Sequence, residues 1–170
     1  MALPPPPFDP ELAAALEIVA EQLPPTTTLE EARQPIGQML LCPMLDDRND
    51  SPSAYQMAGI GVWDRGANEV GWTALLGRAR GGAEVSEYAA PARAEDVSGL
   101  PPAYIDVGSA ETFRDEAVLY ASRIWQAGGV AELHVWPGGF HGFQGLAPQA
   151  ALSQVAKAAP LNWLRRLLGD

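Results

Sequence analysis

The chain has 170 residues, 47% of them apolar, and a formal charge of −10. This length and composition are enough for one globular domain with a buried core, and they exclude a wholly disordered chain. The negative charge and the absence of any Lys/Arg run exclude nucleic acid and anionic membranes as partners, because both need a basic surface.

The start of the chain carries no targeting pattern. Residues 1–9 contain no basic residue before an apolar run, and no segment approaches 18 uninterrupted apolar residues. We therefore expect no signal peptide, no membrane span and a cytoplasmic location. The single cysteine, Cys42, suits a reducing compartment. We interpret it as a small buried apolar residue of a strand.

Residues 1–34 are predicted to form two helices. The sequence FDPEL supplies an N-cap at Asp9 and a proline at the first helical position, Pro10. An apolar stripe follows at Leu12, Leu16, Val19 and Leu23. A capping box, Thr28 with Glu31, indicates a short second helix over 29–34. We expect this segment to be a unit distinct from 35–170.

After Pro35 the apolar run at 36–42 predicts a buried strand, closed by the acidic turn DDRND. The aspartates of this turn lack EF-hand spacing, so a polar turn is favoured over a metal loop. Asn68 is the predicted cap of a helix that ends at Gly77. Residues 78–99 are rich in small residues and predict a long surface connection.

The second half alternates strands and helices. Strands are predicted at 102–109 and 130–138, with Leu133 and Val135 on the inner face of the second. The intervening helix is predicted to bury Val118, Ala121 and Trp125. A last helical region begins at Pro148 and restarts at Pro160, with an inner face formed by Leu161, Leu164, Leu167 and Leu168. This alternation predicts an α/β fold with a parallel sheet.

Two chemically competent side chains follow these predicted strands. Glu111 comes just after the first and His141 lies in the glycine-rich loop after the second. Because the carboxyl ends of parallel strands share one edge of the sheet, we expect the two side chains to approach within a few ångströms. A carboxylate beside an imidazole is half of an acyl-transfer site. The alternative is a helix-capping glutamate and an unrelated loop histidine.

The segment YIDVGSAETFRDEAVLYASRIWQAGGVAELHVWPGGFHGF is similar to the C-terminal part of the hormone-sensitive-lipase family of α/β-hydrolases, which are bacterial carboxylesterases. Its RDE and HGF motifs are specific. LLCPMLDDRND resembles the family's strand and turn after the nucleophile region, and residues 8–31 resemble its N-terminal cap segment. The resemblance implies a truncated α/β-hydrolase fold, with about three parallel strands flanked by helices and N-terminal cap helices in 1–34. It also implies activity on short-chain carboxylic esters.

By position, the resemblance makes Glu111 the acid of a catalytic triad and His141 its histidine, with Asp115 as a fallback acid. The sequence contains neither the GxSxG nucleophile motif nor the HGG oxyanion motif, and passes from the cap segment near Arg33 into the strand after them. None of the remaining serines has elbow glycines: Ser51, Ser53, Ser86, Ser98, Ser109, Ser122 and Ser153. We therefore expect little or no activity from the chain alone.

Three further expectations concern partners. No cofactor is expected, and a metal site formed by Glu111, Asp115 and His141 is a weaker interpretation, because one histidine with two acids is a poor metal signal. The strand at 36–42 lacks a neighbour that the full family fold would provide, which predicts a homodimer through this strand. The alternative function is a non-catalytic protein-interaction module that associates through that edge.

Overall fold

The computed structural model describes residues 35–169. Within them, strands and helices alternate as the sequence predicts. In chain order the elements are β1 (Gln38–Leu41), α1 (Pro52–Gln56), α2 (Arg65–Leu76), β2 (Ala103–Gly108), α3 (Arg114–Gln126), β3 (Ala131–Trp136), α4 (Phe143–Leu146) and α5 (Ala151–Leu168), with 3-10 turns at Gly77–Ala79 and Pro91–Arg93. The helices predicted in 1–34 lie outside the described residues.

The three strands form one parallel sheet in the order β1-β2-β3. Gln38 of β1 pairs with Ala103 of β2, which pairs on its other side with Ala131 of β3. All six residues of β2 are buried, as expected for a central parallel strand covered on both faces. The predicted three-stranded α/β architecture is therefore confirmed.

The main core lies between β2 and α3. Its buried residues are Leu45, Val97, Ala103, Ile105, Val107, Phe113, Ala117, Tyr120, Ala121 and Ile124. The members from α3 fall at the i, i+3, i+4, i+7 spacing of one helix face.

The predicted inner face of α3 was wrong at two of its three positions. Val118 is 37% exposed and Trp125 is 47% exposed, while Ala121 is buried. The inward face of α3 is formed by Ala117, Tyr120, Ala121 and Ile124, so Val118 and Trp125 lie beside it rather than on it. Trp125 lies at the rim, where its indole N–H donates to the carbonyl of Ala131 at 2.9 Å.

Two helix boundaries also differ from the prediction. Asp64 caps α2 by accepting from the N–H of Ala67 at 2.7 Å, whereas the predicted cap, Asn68, is buried inside the helix. Its side-chain amide donates to Asn49 at 2.9 Å. α5 continues through Pro160 from Ala151 to Leu168, although proline removes one internal N–H donor.

The faces of β3 and α5 are also reversed from the prediction at several positions. Val135 is 38% exposed, and Trp136 is buried against Phe143 and Ala156. On α5, Leu161 and Leu164 are exposed and Trp163 is buried. Burying the indole rings of Trp136 and Trp163 removes more apolar area from water than burying these smaller side chains would.

The turn DDRND holds the long connection at 78–99 in place. Asp47 is fully buried and accepts from Arg93 at 2.5 and 3.0 Å and from the N–H of Gly81 at 2.6 Å. Asp46 instead pairs with Arg48. The turn is thus partly structural rather than wholly solvated. No helix within 35–169 is long and apolar enough to cross a membrane.

Candidate active site

One edge of the sheet collects the side chains that matter chemically. Cys42 directly follows β1, Glu111 follows β2 by three residues, and His141 lies in the loop after β3. A thiol sulfur, a carboxylate oxygen and a ring nitrogen from these three residues all lie within 4.8 Å of one another. Parallel strands bring their carboxyl ends to the same edge, which explains why residues so distant in sequence meet there.

Backbone contacts between the loops after β2 and β3 fix the positions of Glu111 and His141. The N–H of Ser109 donates to the carbonyl of Trp136 at 2.8 Å, and the N–H of Ala110 donates to that of Gly139 at 2.9 Å. These two hydrogen bonds join the loops that carry Glu111 and His141.

Glu111 and His141 are in direct contact. Nδ1 of His141 lies 3.0 Å from Oε1 of Glu111, whose side chain is fully buried. The imidazole packs between Trp63, at a ring-centroid distance of 5.7 Å, and Phe113, at 5.5 Å. A carboxylate on Nδ1 fixes the orientation of the ring and leaves Nε2 for other partners. The predicted approach of these two residues is present in the structure.

The surroundings of His141 favour its charged form. The side chain of Cys42 and the carboxylate of Glu111 raise the pKa of His141 to about 10, although burial acts in the opposite direction. At neutral pH the ring is therefore an imidazolium paired with Glu111. The second carboxylate oxygen, Oε2 of Glu111, is buried and has no hydrogen-bond partner among the described residues.

Cys42 does not occupy the position that the sequence predicts for it. It lies one residue beyond the end of β1, is only partly buried, and has φ = 40°, in the left-handed region. Its N–H still donates to the carbonyl of Asp106 at 2.8 Å. The interpretation of Cys42 as a buried apolar strand residue is therefore wrong. The signal available in the sequence was its place at a strand end directly before Pro43.

Asp115, the fallback acid, is used elsewhere. Its Oδ2 accepts from the N–H of Ser53 at 2.8 Å, and its Oδ1 accepts from Nε of Arg114 at 2.8 Å. The metal set that includes Asp115 is therefore not assembled. Cys42 takes its place beside Glu111 and His141, and these three are donor types that zinc accepts.

Two serines near the site, Ser53 and Ser109, form hydrogen bonds to the backbone. The hydroxyl of Ser53 donates to the carbonyl of Thr112 at 2.8 Å. The hydroxyl of Ser109 accepts from the N–H of Gly138 at 2.8 Å. Both hydroxyls thus stabilise turns around the site.

Comparisons with known proteins identify this architecture. A family model described as alpha/beta hydrolase fold matches residues 11–145, most of the chain. The chain belongs to the α/β-hydrolase fold family. Esterase LipI of Mycobacterium tuberculosis is 38% identical over 64 residues, which are 36% of this chain and 20% of LipI.

Solved structures give the same result for this α/β-hydrolase. A bacterial heroin esterase has 36% sequence identity and a TM-score of 0.75, with 90% of this chain and 46% of that chain covered. Esterase LipW from Mycobacterium marinum has 33% identity and a TM-score of 0.72, with coverage of 78% and 40%. An esterase from the bacterial hormone-sensitive lipase family has 27% identity and a TM-score of 0.70, with coverage of 79% and 44%. The resemblance to that family is confirmed, and the chain spans less than half the length of these relatives.

A further carboxyl group of this α/β-hydrolase has a perturbed pKa behind the site. Glu116, on the inner face of α3, accepts from the N–H of Leu45 at 2.7 Å. Burial raises the pKa of Glu116 to about 8, so the group is largely protonated at neutral pH. Nothing in the sequence distinguishes Glu116, because a glutamate in the first turn of a helix is usually solvated.

Proposed function

We propose that Glu111 and His141 are the acid and histidine of an ester-hydrolase site. The observation that carries this proposal is the 3.0 Å contact between Oε1 of Glu111 and Nδ1 of His141 at the carboxyl edge of the sheet. Short-chain carboxylic esters are the proposed substrate class, since the relatives compared above are named as esterases.

We also propose that this chain alone turns esters over at no more than a trace rate. The sequence contains no GxSxG elbow to hold a serine and no HGG segment to supply oxyanion donors. In addition, an imidazole whose pKa is raised to about 10 is already protonated at neutral pH, so it is a poor acceptor for a serine proton.

Steady-state hydrolysis of p-nitrophenyl butyrate by the purified chain tests the proposal. We expect no more than a trace steady-state rate, because the sequence lacks both the elbow serine and the oxyanion segment. Robust turnover that both His141→Ala and a serine-directed covalent inhibitor abolish would contradict it. Mass spectrometry of the labelled peptide would then identify the serine.

The contact itself can be tested without activity. Proton NMR of the imidazole resonances is expected to show a slowly exchanging Nδ1 proton on His141 that Glu111→Gln removes. The matched control is Glu132→Gln, which changes the partner of the other histidine, His134, at 2.9 Å. Loss of the His141 signal in the control, or its survival in Glu111→Gln, would show that the pair does not form.

A second candidate function is association through the sheet edge. Within 35–169, β1 pairs with β2 on one side alone, and it exposes 38% of Met39 and 50% of Leu41. An apolar strand edge with unpaired backbone groups favours pairing with another chain. We propose a second copy of this chain as that partner. The division into units 1–34 and 35–170 and the cytoplasmic location are likewise proposals that rest on the sequence.

A further inference from the structure

We propose that Cys42 is the nucleophile of this site and accepts acyl groups from activated esters as a thioester. The proposal rests on the proposed function for the Glu111–His141 pair, and it adds the residue on which that pair acts. Because the sequence contains one cysteine, every thiol measurement on the chain reports on Cys42 alone.

The geometry is that of a nucleophile, a base and an orienting acid. The thiol of Cys42 lies within 4.8 Å of both His141 and Glu111, and each residue comes from the end of a different strand. Glu111 contacts Nδ1, so the opposite nitrogen of the ring, Nε2, is the one left for a nucleophile. This division of roles is how cysteine and serine nucleophiles are activated in unrelated folds.

The backbone at Cys42 supports the same assignment. Its φ of 40° is unusual for a residue with a side chain, and the following Pro43 further restricts the conformations open to it. Such strain persists where the surrounding structure imposes it, which is common at nucleophiles on sharp turns after strands. Here the bond from the N–H of Cys42 to the carbonyl of Asp106 holds the residue at the end of β1.

Charge provides an independent argument. Glu111 is fully buried, and its Oε2 atom has no hydrogen-bond partner among the described residues. A buried carboxylate of this kind requires a cation beside it, and the imidazolium of His141 is that cation. The imidazole of His141 therefore lies beside both this carboxylate and the Cys42 thiol, which is the arrangement in which a histidine activates a cysteine nucleophile.

The reaction balances without any further reagent. The Cys42 thiolate attacks the ester carbonyl carbon, and the tetrahedral intermediate expels an alkoxide that takes the proton from the His141 imidazolium. The products of this step are an alcohol, a thioester on Sγ and a neutral imidazole. Water then gives a proton to the imidazole and attacks the thioester, which releases the carboxylic acid and restores the thiolate and imidazolium.

Pro43 limits the second half of this cycle. In the nucleophile elbow of α/β-hydrolases the residue after the nucleophile donates its N–H to the oxyanion, and a proline has no N–H to donate. Esters with a good leaving group, such as p-nitrophenyl acetate, can acylate Cys42 without this donor. Hydrolysis of the thioester is slower, so we expect a burst of product followed by a trace steady rate.

The experiment mixes the full chain with p-nitrophenyl acetate and follows release of p-nitrophenol. We expect a burst of about one equivalent per chain, the signature of an accumulating acyl-enzyme, with the acyl group located on the Cys42 peptide by mass spectrometry. Cys42→Ala and Cys42→Ser are both expected to abolish a thioester on this residue. Circular dichroism and thermal melts establish that each variant is folded.

The rate of alkylation by iodoacetamide is the second measurement. Folded chain is expected to react on the order of tenfold faster at pH 7 than chain unfolded in urea, because His141 activates the thiol only in the folded chain. His141→Gln should remove this advantage. The matched control is His134→Gln, which alters the chain's other histidine, located on β3 and paired with Glu132. This variant should still be alkylated faster when folded than when unfolded.

Each contrary outcome has a distinct meaning. An undiminished burst in Cys42→Ala, or equal alkylation of folded and unfolded chain, would overturn the nucleophile assignment. The assignment would also be overturned, in favour of a metal site, by two results together. The metal-free chain would show no burst, and added zinc would bind tightly and block alkylation of Cys42. Steady turnover that survives Cys42→Ala and is lost in His141→Gln would refute both the assignment of Cys42 as nucleophile and the expected trace rate. The Glu111–His141 pair would then remain as the catalytic site. A burst that depends on Cys42 and not on His141 would separate the cysteine from the pair and overturn the mechanism.

Discussion

The α-carbon of Gly108 faces the carbonyl of Gly139 so closely that a Cβ atom on Gly108 would lie 2.1 Å from that oxygen. Gly108 ends β2 and Gly139 lies in the loop that carries His141. Each glycine therefore allows the two loops to touch, and this contact sets the distance between Glu111 and His141.

Gly108→Ala is expected to separate the loops, because the atoms that its Cβ meets belong to the backbone and cannot rotate away. We expect a loss of roughly 2 kcal/mol or more in the free energy of unfolding, from overpacking, and loss of the Glu111–His141 contact. Urea denaturation and the NMR signal of the Nδ1 proton of His141 measure these effects.

The matched control for that substitution is Gly145→Ala in α4, where an added Cβ has no neighbouring atom within 4 Å. Alanine has a higher helix propensity than glycine, so the free energy of unfolding of this variant should equal that of the parent or exceed it by up to about 1 kcal/mol. Similar losses in both variants would show that the close approach at Gly108 does not govern the site.

Glu116 should make the protein less stable as the pH rises. Its folded pKa of about 8 lies above the ordinary value of 4.5, so the folded state holds a proton that the unfolded state releases. The stabilisation is therefore complete below pH 4.5 and is lost progressively up to pH 8. Glu116→Gln should remove this slope, because an amide oxygen can still accept from Leu45 and cannot ionise.

Urea denaturation at pH 5, 6.5 and 8 checks this dependence. The difference in unfolding free energy between Glu116→Gln and the parent should increase by at least about 1 kcal/mol across this range, in favour of the variant. Glu84→Gln, a change at an exposed glutamate of the long connection, is the control and should follow the parent at every pH. A parallel response of the two variants would rule out a buried neutral Glu116.

His141 should give a slope in a higher pH range. Because its folded pKa of about 10 lies above the ordinary 6.5, the pair with Glu111 stabilises the fold fully below pH 6.5 and loses this effect as the pH rises through 10. His141→Gln should therefore lower the stability of the fold most at pH 6 and only a little at pH 10.5. Thermal melts of both proteins at these two pH values test it, and a cost that is independent of pH would contradict it.

The sheet was predictable from the sequence pattern, and the Glu111–His141 contact was predictable from that pattern together with the family resemblance. Short apolar runs that alternate with helical patterns identify parallel strands, and parallel strands deliver their following loops to one edge. The contact depends on this topology and on two loops, both of which have clear glycine signals. It does not depend on the details of side-chain packing.

The buried faces of the helices and the role of Cys42 could not be predicted from the sequence, because they depend on how neighbouring elements pack in the folded chain. On α3, Tyr120 and Ile124 are buried together with two alanines while Trp125 is 47% exposed, so apolar spacing alone does not determine which face turns inward. Likewise, the place of Cys42 directly before Pro43 indicates a strand end, but it does not reveal that β1 ends at Leu41 or that Cys42 has φ = 40°.

Association through β1 is the last prediction. Met39 and Leu41 point away from the core on a strand that pairs with β2 alone within 35–169, and we expect a concentration-dependent dimer in light scattering coupled to size-exclusion chromatography. Replacing both residues with lysine should give a monomer, since desolvating two charges at the edge opposes strand pairing.

The matched control places lysines at Val70 and Leu75, which are exposed on α2, and so makes the same change in net charge. The control should remain dimeric. Dissociation of both variants would attribute the effect to net charge, and a parent that stays monomeric at high concentration would remove β1 as an interface.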